Sequence, residues 1–210
     1  MKQWLIFALV GSLTACAVSP SSEQQADRLA AQAHRAAEQG QTEATQILAD
    51  GALAISPQHV AASFERAWLR LGQGEVNAAI ADLDWVVSQQ PDNMRYLGAR
   101  CVARAVAGLP DALSDCDRAQ ALSGNVTNAW IARGQALLAM QRPTDALAAF
   151  EAALASTPNA MRALYGRGVA RWRLGDEAKG QADCLAAFSR LPGAAREYTH
   201  PKLGRAARGV

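Results

Sequence analysis

The 210-residue sequence lacks the short motifs that carry most enzyme chemistry. It contains no glycine-rich phosphate loop, nucleophile elbow, His-Glu metal helix or CxxC pair. Its three histidines, His34, His59 and His200, are too dispersed for a metal site to be read from their spacing, so a structural or solvated role is favoured. We therefore predict a protein without cofactor, metal or catalytic residues, and we keep an enzyme only as a minority alternative.

Aromatic residues and net charge are also scarce. Aromatic side chains make up 6% of the sequence, charged side chains make up 19%, and the formal net charge is +2. So small a charge bias does not by itself indicate nucleic acid or anionic lipid as the main partner. Hydrophobic residues make up 50% of the chain, which at this length is enough to form a sizeable core.

The N-terminus carries a short apolar run in place of a membrane span. Lys2 is followed by an apolar stretch from Trp4 to Val10, well under the ~18 to 20 residues that cross a bilayer. This pattern predicts a secretory signal peptide over residues 1–15.

The end of this segment, Leu13, Thr14, Ala15 and Cys16, resembles the lipobox of bacterial lipoproteins. The resemblance implies that Cys16 is lipidated and becomes the first residue of the mature protein, held durably once two or more acyl chains are attached. Ala17 stands where an Asp would indicate inner-membrane retention, so the resemblance implies the periplasmic side of the outer membrane, with the inner membrane less favoured. The alternatives are an ordinary signal peptide with a chance cysteine and a buried helix.

Helix breakers and small residues recur together along the rest of the chain. The breakers are 34, 33, 34 and 34 residues apart, and three series of small residues keep step with them. Small side chains let two short antiparallel helices pack closely, and each breaker ends the second helix of its unit. The breakers are Pro57, Pro91, Gly124, Pro158 and Pro192, and the small series are Ala33, Ala67, Cys101, Gly134 and Gly168, then Thr45, Ala79, Ala112, Ala146 and Gly180, then Ala52, Val86, Ala119, Ala153 and Ala187.

This spacing resembles the tetratricopeptide-repeat (TPR) family, whose signature positions are best filled in the fourth unit. The resemblance implies an all-α solenoid of five helix-turn-helix repeats over residues 26–194, with glycines such as Gly40 and Gly74 in the turns between paired helices. The matching residues are Trp130, Gly134, Ala146, Phe150, Ala153 and Pro158, and the predicted repeats are 26–59, 60–93, 94–126, 127–160 and 161–194.

The segments on either side of the array have a different composition. Residues 16–25 are rich in serine and are predicted to be a lipidated, flexible tether. Residues 195–210 form a basic tail that lacks the long helix often found at the end of a TPR array. We expect part of the last apolar face to be exposed, or covered by a short segment holding Tyr198 and Leu203.

Arginine replaces the leucine that the TPR pattern usually has just before the small residue of the first helix. In three repeats an aspartate follows this arginine by fifteen or sixteen residues, in the second helix. Arg133 faces Ala149 and needs another acceptor, and the first repeat has Gln32 and Leu48 at the two positions. The predicted ion pairs are Arg66 with Asp82, Arg100 with Asp115, and Arg167 with Asp183.

Three further cysteines lie in the array, and an exported protein would place them in an oxidising compartment. Cys101 and Cys116 occupy the first and second helices of the third repeat, on faces that the TPR pattern packs together. One interpretation is a disulfide contributing ~3 kcal/mol in the chain-entropy model. The other is that all the cysteines are small buried hydrophobes. Cys184 is expected to be unpaired.

The TPR resemblance also implies a concave groove that binds a peptide or helix of a protein partner. By the family register, residues at i, i+4 and i+7 of the first helix line its wall. Aromatic anchors there suit an apolar or amphipathic segment, although much of the stripe is also consistent with ordinary core. The predicted wall residues are Phe64, Trp68 and Leu71, then Ile131, Gln135 and Leu138, then Tyr165, Val169 and Trp172.

Together these features predict a membrane-anchored adaptor or scaffold that binds another envelope protein. The pathways that the resemblance implies are pilus or secretin assembly, outer-membrane assembly and regulation of a cell-wall enzyme. No nucleic-acid partner is predicted. The main alternative is a structural module that buries the apolar stripe in a homo-oligomer.

Overall fold

A computed structural model of the chain describes residues 21–122 and 126–198. Within these ranges the chain forms ten α-helices, one 3-10 helix and no strand. The α-helices are α1 (Ser22–Glu38), α2 (Thr42–Ile55), α3 (Val60–Gln73), α4 (Val76–Gln89), α5 (Met94–Ala107), α6 (Ser114–Ala121), α7 (Val126–Ala139), α8 (Pro143–Ser156), α9 (Met161–Arg173) and α10 (Glu177–Phe188). We call the 3-10 helix, Pro192–Tyr198, the C-terminal segment.

Successive helices pair as five hairpins, one in each predicted repeat, which confirms the predicted all-α solenoid. The three series of small residues are buried in every repeat, where paired helices approach each other. Core packing therefore follows the periodicity of the sequence. None of the described helices is both long and apolar enough to span a bilayer.

The turn inside each hairpin uses a left-handed residue. The backbone φ lies between 72° and 88° at the glycines that open four of these turns, and Gln141 has a φ of 60° in the fourth repeat. A non-glycine residue in this region pays a steric cost because its Cβ crowds the following carbonyl. The four glycines are Gly40, Gly74, Gly108 and Gly175.

Two boundaries differ from the prediction. Helix α1 begins at Ser22, inside the predicted tether of residues 16–25, because Ser21 and Gln24 form a capping box. The Ser21 hydroxyl accepts a hydrogen bond from the Gln24 amide at 3.2 Å, and the Gln24 side chain accepts one from the Ser21 amide at 3.1 Å. The C-terminal segment extends structure into the predicted tail. Cys16 and Leu203 lie outside the described residues.

Contacts of the C-terminal segment show how strongly the array curves. The segment packs on α9 and α10 of the last repeat, and also on α1 and α3 of the first two repeats. Because α1, α3 and α9 are all first helices of their repeats, the segment lies on the side that the first helices form. The two ends of the array therefore meet on its concave side.

Candidate functional site

Each of the three predicted arginine–aspartate pairs lies at hydrogen-bonding distance. The nearest nitrogen–oxygen distances are 2.8 Å for Arg66 and Asp82, and 2.7 Å for both Arg100 with Asp115 and Arg167 with Asp183. Both carboxylate oxygens are used in every pair, which gives the bidentate geometry typical of guanidinium and carboxylate. The hydrogen bond to Asp115 raises the pKa of Arg100, and the bond to Asp183 does the same for Arg167.

A second arginine, four residues after the first, completes each of these sites. Arg70, Arg104 and Arg171 donate to Asp82, Asp115 and Asp183 at 2.7, 3.0 and 2.8 Å. Sequence reasoning missed these residues, although a spacing of i, i+4 places both arginines on one face of the first helix. Each aspartate is therefore the centre of a triad with two cations.

Acidic residues two positions after the register of the triad aspartates link neighbouring repeats. Asp84 of the second repeat accepts from Arg100 at 3.0 Å, and Glu151 of the fourth repeat lies 3.8 Å from Arg171 of the fifth. Arg133, for which the sequence offered no acceptor, forms an ion pair with Asp117 of the preceding repeat. We call these triads and bridges the ion-pair ladder. Its bridges link the second to fifth repeats in series.

The structure joins Cys101 and Cys116 by a disulfide across the third repeat, with their Cα atoms 5.6 Å apart. Cys184 is a free, buried thiol in the fifth repeat. Burial raises its pKa to about 11, and the nearby Asp183 carboxylate adds to the shift. Cys184 therefore packs as a neutral thiol.

The predicted groove wall divides into buried and accessible residues. Trp68 is half-buried, and Trp172 is 41% exposed. The other seven are buried, so most of the predicted wall is core, which is the alternative that the sequence left open. These buried residues are Phe64, Leu71, Ile131, Gln135, Leu138, Tyr165 and Val169.

Trp68 lines two cavities. The first, of about 170 Å³, lies between the first two repeats and has mostly apolar walls; we call it the Trp68 cavity. The second, of about 60 Å³, lies on the inner side of repeats two to five and includes Phe64, Arg95, Asn128 and Arg162; we call it the central cavity. The residues lining the Trp68 cavity are Ala37, Gly40, Thr42, Thr45, Trp68, Leu69, Gly72 and Gln73.

The polar side of the central cavity comes from the second residue of successive repeats, a position that the sequence analysis did not identify. Arg95, Asn128 and Arg162 each lie one residue after the start of the third, fourth and fifth repeats. Their spacing of 33 and 34 residues follows the repeat, so the register that located Phe64 and Ile131 also locates them. The inner surface therefore combines apolar and cationic groups.

A buried carboxylate, Glu65, balances part of this charge. It lies 2.9 Å from His34 Nδ1 and 3.5 Å from Arg95, whose guanidinium stacks 4.5 Å from the centre of the Phe64 ring. A cation over an aromatic face is attracted by the ring quadrupole. Burial raises the pKa of neighbouring Tyr96, which packs 5.1 Å from the Phe64 ring. His34 thus has a structural role in this cluster.

These arrangements do not provide a site for metal chemistry within residues 21–122 and 126–198. No group of three histidine, cysteine, aspartate or glutamate side chains there is placed to hold a metal ion. What the inner surface offers is a short apolar cavity next to hydrogen-bond donors, which is the chemistry of a peptide-binding surface.

Comparisons with known proteins identify the fold. Residues 131–180 match the tetratricopeptide repeat family. No curated protein matches the sequence. A thermophilic TPR protein of Thermus thermophilus is 22% identical with a TM-score of 0.60, over 81% of this chain and 92% of that one.

Two other solved structures are similar. PilF of Pseudomonas aeruginosa is 16% identical with a TM-score of 0.53, over 80% of this chain and 77% of that one. A tetratricopeptide repeat protein from Parabacteroides merdae is 19% identical with a TM-score of 0.54, over 85% of this chain and 70% of that one. Over the described residues the chain therefore has the five-hairpin solenoid fold of these tetratricopeptide-repeat proteins, and the family match itself covers residues 131–180.

Proposed function

We propose that this chain is a membrane-anchored adaptor that binds an extended or helical segment of another envelope protein on its concave side. Proteins built from this repeat are generally non-enzymatic scaffolds. The observation that carries the proposal is that the half-buried Trp68 indole lines both the Trp68 cavity and the central cavity, whose lining also includes Arg95 and Arg162. Tryptophan and arginine are the residue types most enriched among interface hot spots.

The membrane anchor is the second part of the proposal and rests on the sequence around Cys16. Lipidation of Cys16 would hold the array at the periplasmic face of the outer membrane and raise the effective concentration of partners there. Pilus or secretin assembly is the pathway we favour, with outer-membrane assembly and cell-wall enzyme regulation as the other candidates. The similarity to PilF supports the fold and does not identify the pathway.

Site-specific photo-crosslinking in cells tests the binding surface. A photoreactive amino acid in place of Trp68 lies in the lining of both cavities, and the same substitution at Ile47, 65% exposed and outside both cavities, is the matched control. We expect a cross-link to a second protein from position 68 and none from position 47. Equal products from both positions, or a product from position 47 alone, would contradict the proposal.

The anchor has a separate test. Metabolic labelling with a clickable fatty acid should label the intact chain and should not label a Cys16→Ser variant. After membrane fractionation, the labelled protein should be found in the outer-membrane fraction. An intact chain that carries no lipid, or that fractionates with the inner membrane, contradicts this part of the proposal and leaves the binding surface unaffected.

A homo-oligomer is the second candidate function, favoured by an exposed apolar patch on the last repeat. Leu185 and Phe188 are 45% and 38% exposed on α10. Leu185 occupies the register in which Asp84, Asp117 and Glu151 bridge to the next repeat. Sedimentation of the intact chain and a Leu185→Glu variant tests this: a concentration-dependent dimer that the variant abolishes favours it, and a monomer in both excludes it.

A further inference from the structure

The C-terminal segment lies against first helices of the array, on the side where the proposed partner would bind. It packs on α1 and α3, and two of the residues that line the Trp68 cavity, Ala37 and Gly40, are also its neighbours. The segment therefore packs directly against two of the residues that form the wall of that cavity.

Gly193 is the point of closest approach between the segment and the first repeat. A Cβ built at this position would overlap the backbone carbonyl oxygens of Ala37 and Glu38, so only glycine fits against the end of α1. Across the same contact, a Cβ at Gly40 would lie 3.3 Å from the Pro192 carbonyl oxygen. Ala194, which follows, is fully buried. Small residues are thus required on both sides of this contact.

Tyr198 anchors the other end of the segment. Its side chain is 1% exposed, with its ring centre 5.2 Å from that of Tyr165 and 6.4 Å from that of Phe150. Its hydroxyl donates to the backbone carbonyl of Arg162 at 3.4 Å. The hydroxyl occupies space that a side chain at Gly166 would fill. An aromatic ring thus enters a slot formed by the fourth and fifth repeats.

An ion pair beside this slot joins the first and last repeats. Arg162, at the start of α9, pairs with Glu38, at the end of α1, although the two residues are 124 positions apart in the sequence. Arg162 also lines the central cavity. The charge that faces the cavity is therefore shared with the contact that holds the first and last repeats together.

We propose that the C-terminal segment is an intramolecular ligand of the concave side, and that the partner segment displaces it. This inference rests on the proposed function and adds the class of partner: a short run of small residues followed by an aromatic side chain, as in Gly193, Ala194, Ala195 and Tyr198. An attached segment competes at an effective concentration on the order of millimolar. Partner binding is therefore restricted until the segment leaves.

A labelled peptide of residues 190–199 tests the exchange directly by fluorescence anisotropy with the full chain. In the intact chain the attached segment occupies the site, whereas a Gly193→Val, Tyr198→Ala variant leaves it vacant. We expect the variant to bind the peptide at least tenfold more tightly than the intact chain does. The same peptide with Tyr198→Ala is the control and should lose this binding.

Two results would overturn the inference: equal binding of the peptide by both chains, or no binding by a variant whose circular dichroism still shows a folded helical array. If that variant does not fold, Glu38→Lys weakens the same contact from the α1 side and should also increase peptide binding. If the variant binds the peptide but position 68 gives no cross-link, the C-terminal segment is an intramolecular ligand and the proposed adaptor function is excluded. If position 68 gives a cross-link but the folded variant does not bind the peptide, the adaptor function stands and the inference about the segment fails.

Discussion

The third and first repeats are held in the array by different kinds of contact. In the third repeat, Asp115 is buried between two arginines, and a disulfide joins the two helices. The first repeat has Gln32 and Leu48 in the corresponding register and therefore no such triad. It packs on α3 of the second repeat through α1 and α2, and it is also held by the His34–Glu65 contact and by the C-terminal segment.

This difference separates local from long-range cohesion. The contacts of the third repeat join residues of the same or adjacent repeats, so they are expected to persist wherever those repeats are folded. The first repeat is completed by residues from the far end of the chain. Release of the C-terminal segment should therefore loosen the first repeat and leave the third intact.

The largest expected effect is on the ion-pair ladder. Asp115→Ala removes a buried carboxylate and leaves Arg100 and Arg104 with only the half-exposed Asp84 as acceptor, which should lower the free energy of unfolding by on the order of 3 to 5 kcal/mol. Asp50→Ala, at an exposed position of the first repeat, is the control and should change it by less than about 0.5 kcal/mol. Urea unfolding measures both. Equal effects would remove the proposed distinction between the two repeats.

Loss of the disulfide is next in size. Cys101→Ala combined with Cys116→Ala opens a link between residues 15 apart and should lower the free energy of unfolding by ~3 kcal/mol. Treatment of the intact chain with a reductant should give a similar shift in the urea midpoint, whereas the double variant should not respond to the reductant. A double variant as stable as the intact chain would show that the disulfide contributes nothing to the third repeat.

The turn of the fourth repeat offers a stabilising change. Gln141→Gly replaces a left-handed non-glycine residue, which costs roughly 1 to 2 kcal/mol, although glycine also gains entropy in the unfolded chain. We expect a net gain of about 0.5 to 1 kcal/mol in the free energy of unfolding, measured by urea titration. Gly74→Ala, the opposite change in the second repeat, should be destabilising. A loss of stability in Gln141→Gly would contradict the steric argument.

The smallest expected effect is the coupling between Glu38 and Arg162. Both side chains are partly exposed, so a double-mutant cycle of Glu38→Ala and Arg162→Ala should give about 0.5 kcal/mol. The coupling should fall when 0.5 M salt is added. A coupling of zero at low salt would show that this ion pair does not help to hold the first and last repeats together.

The fold could be predicted from the sequence because close packing of two helices requires buried small residues, and this requirement occurs in each of the five repeats. Buried small residues recur in every repeat, and the arginines and aspartates of the triads recur in three of them. The bridging acids, such as Asp117, follow the same period. They differ from the predicted acceptors in that their arginine partners belong to the next repeat. Periodicity therefore contains almost all of the information on how one repeat packs against the next.

The concave side could not be predicted in the same way. How far Ile131 and Tyr165 are buried depends on the curvature of the whole array, which small rotations at each interface determine. A short segment holding Tyr198 was one of the two expected arrangements at the end of the array, but the contact of Gly193 with the end of α1 joins residues far apart in the sequence and occurs once. A repeat pattern contains no information on a contact that is made only once.

Hydrogen–deuterium exchange of the intact chain and a Tyr198→Ala variant tests most directly whether the C-terminal segment holds the concave side closed. The account predicts that amides near the end of α1, from Ala33 to Glu38, lose protection in the variant, while those of α5 and α6 keep theirs. Unchanged protection in α1, or an equal loss throughout the array, would contradict it.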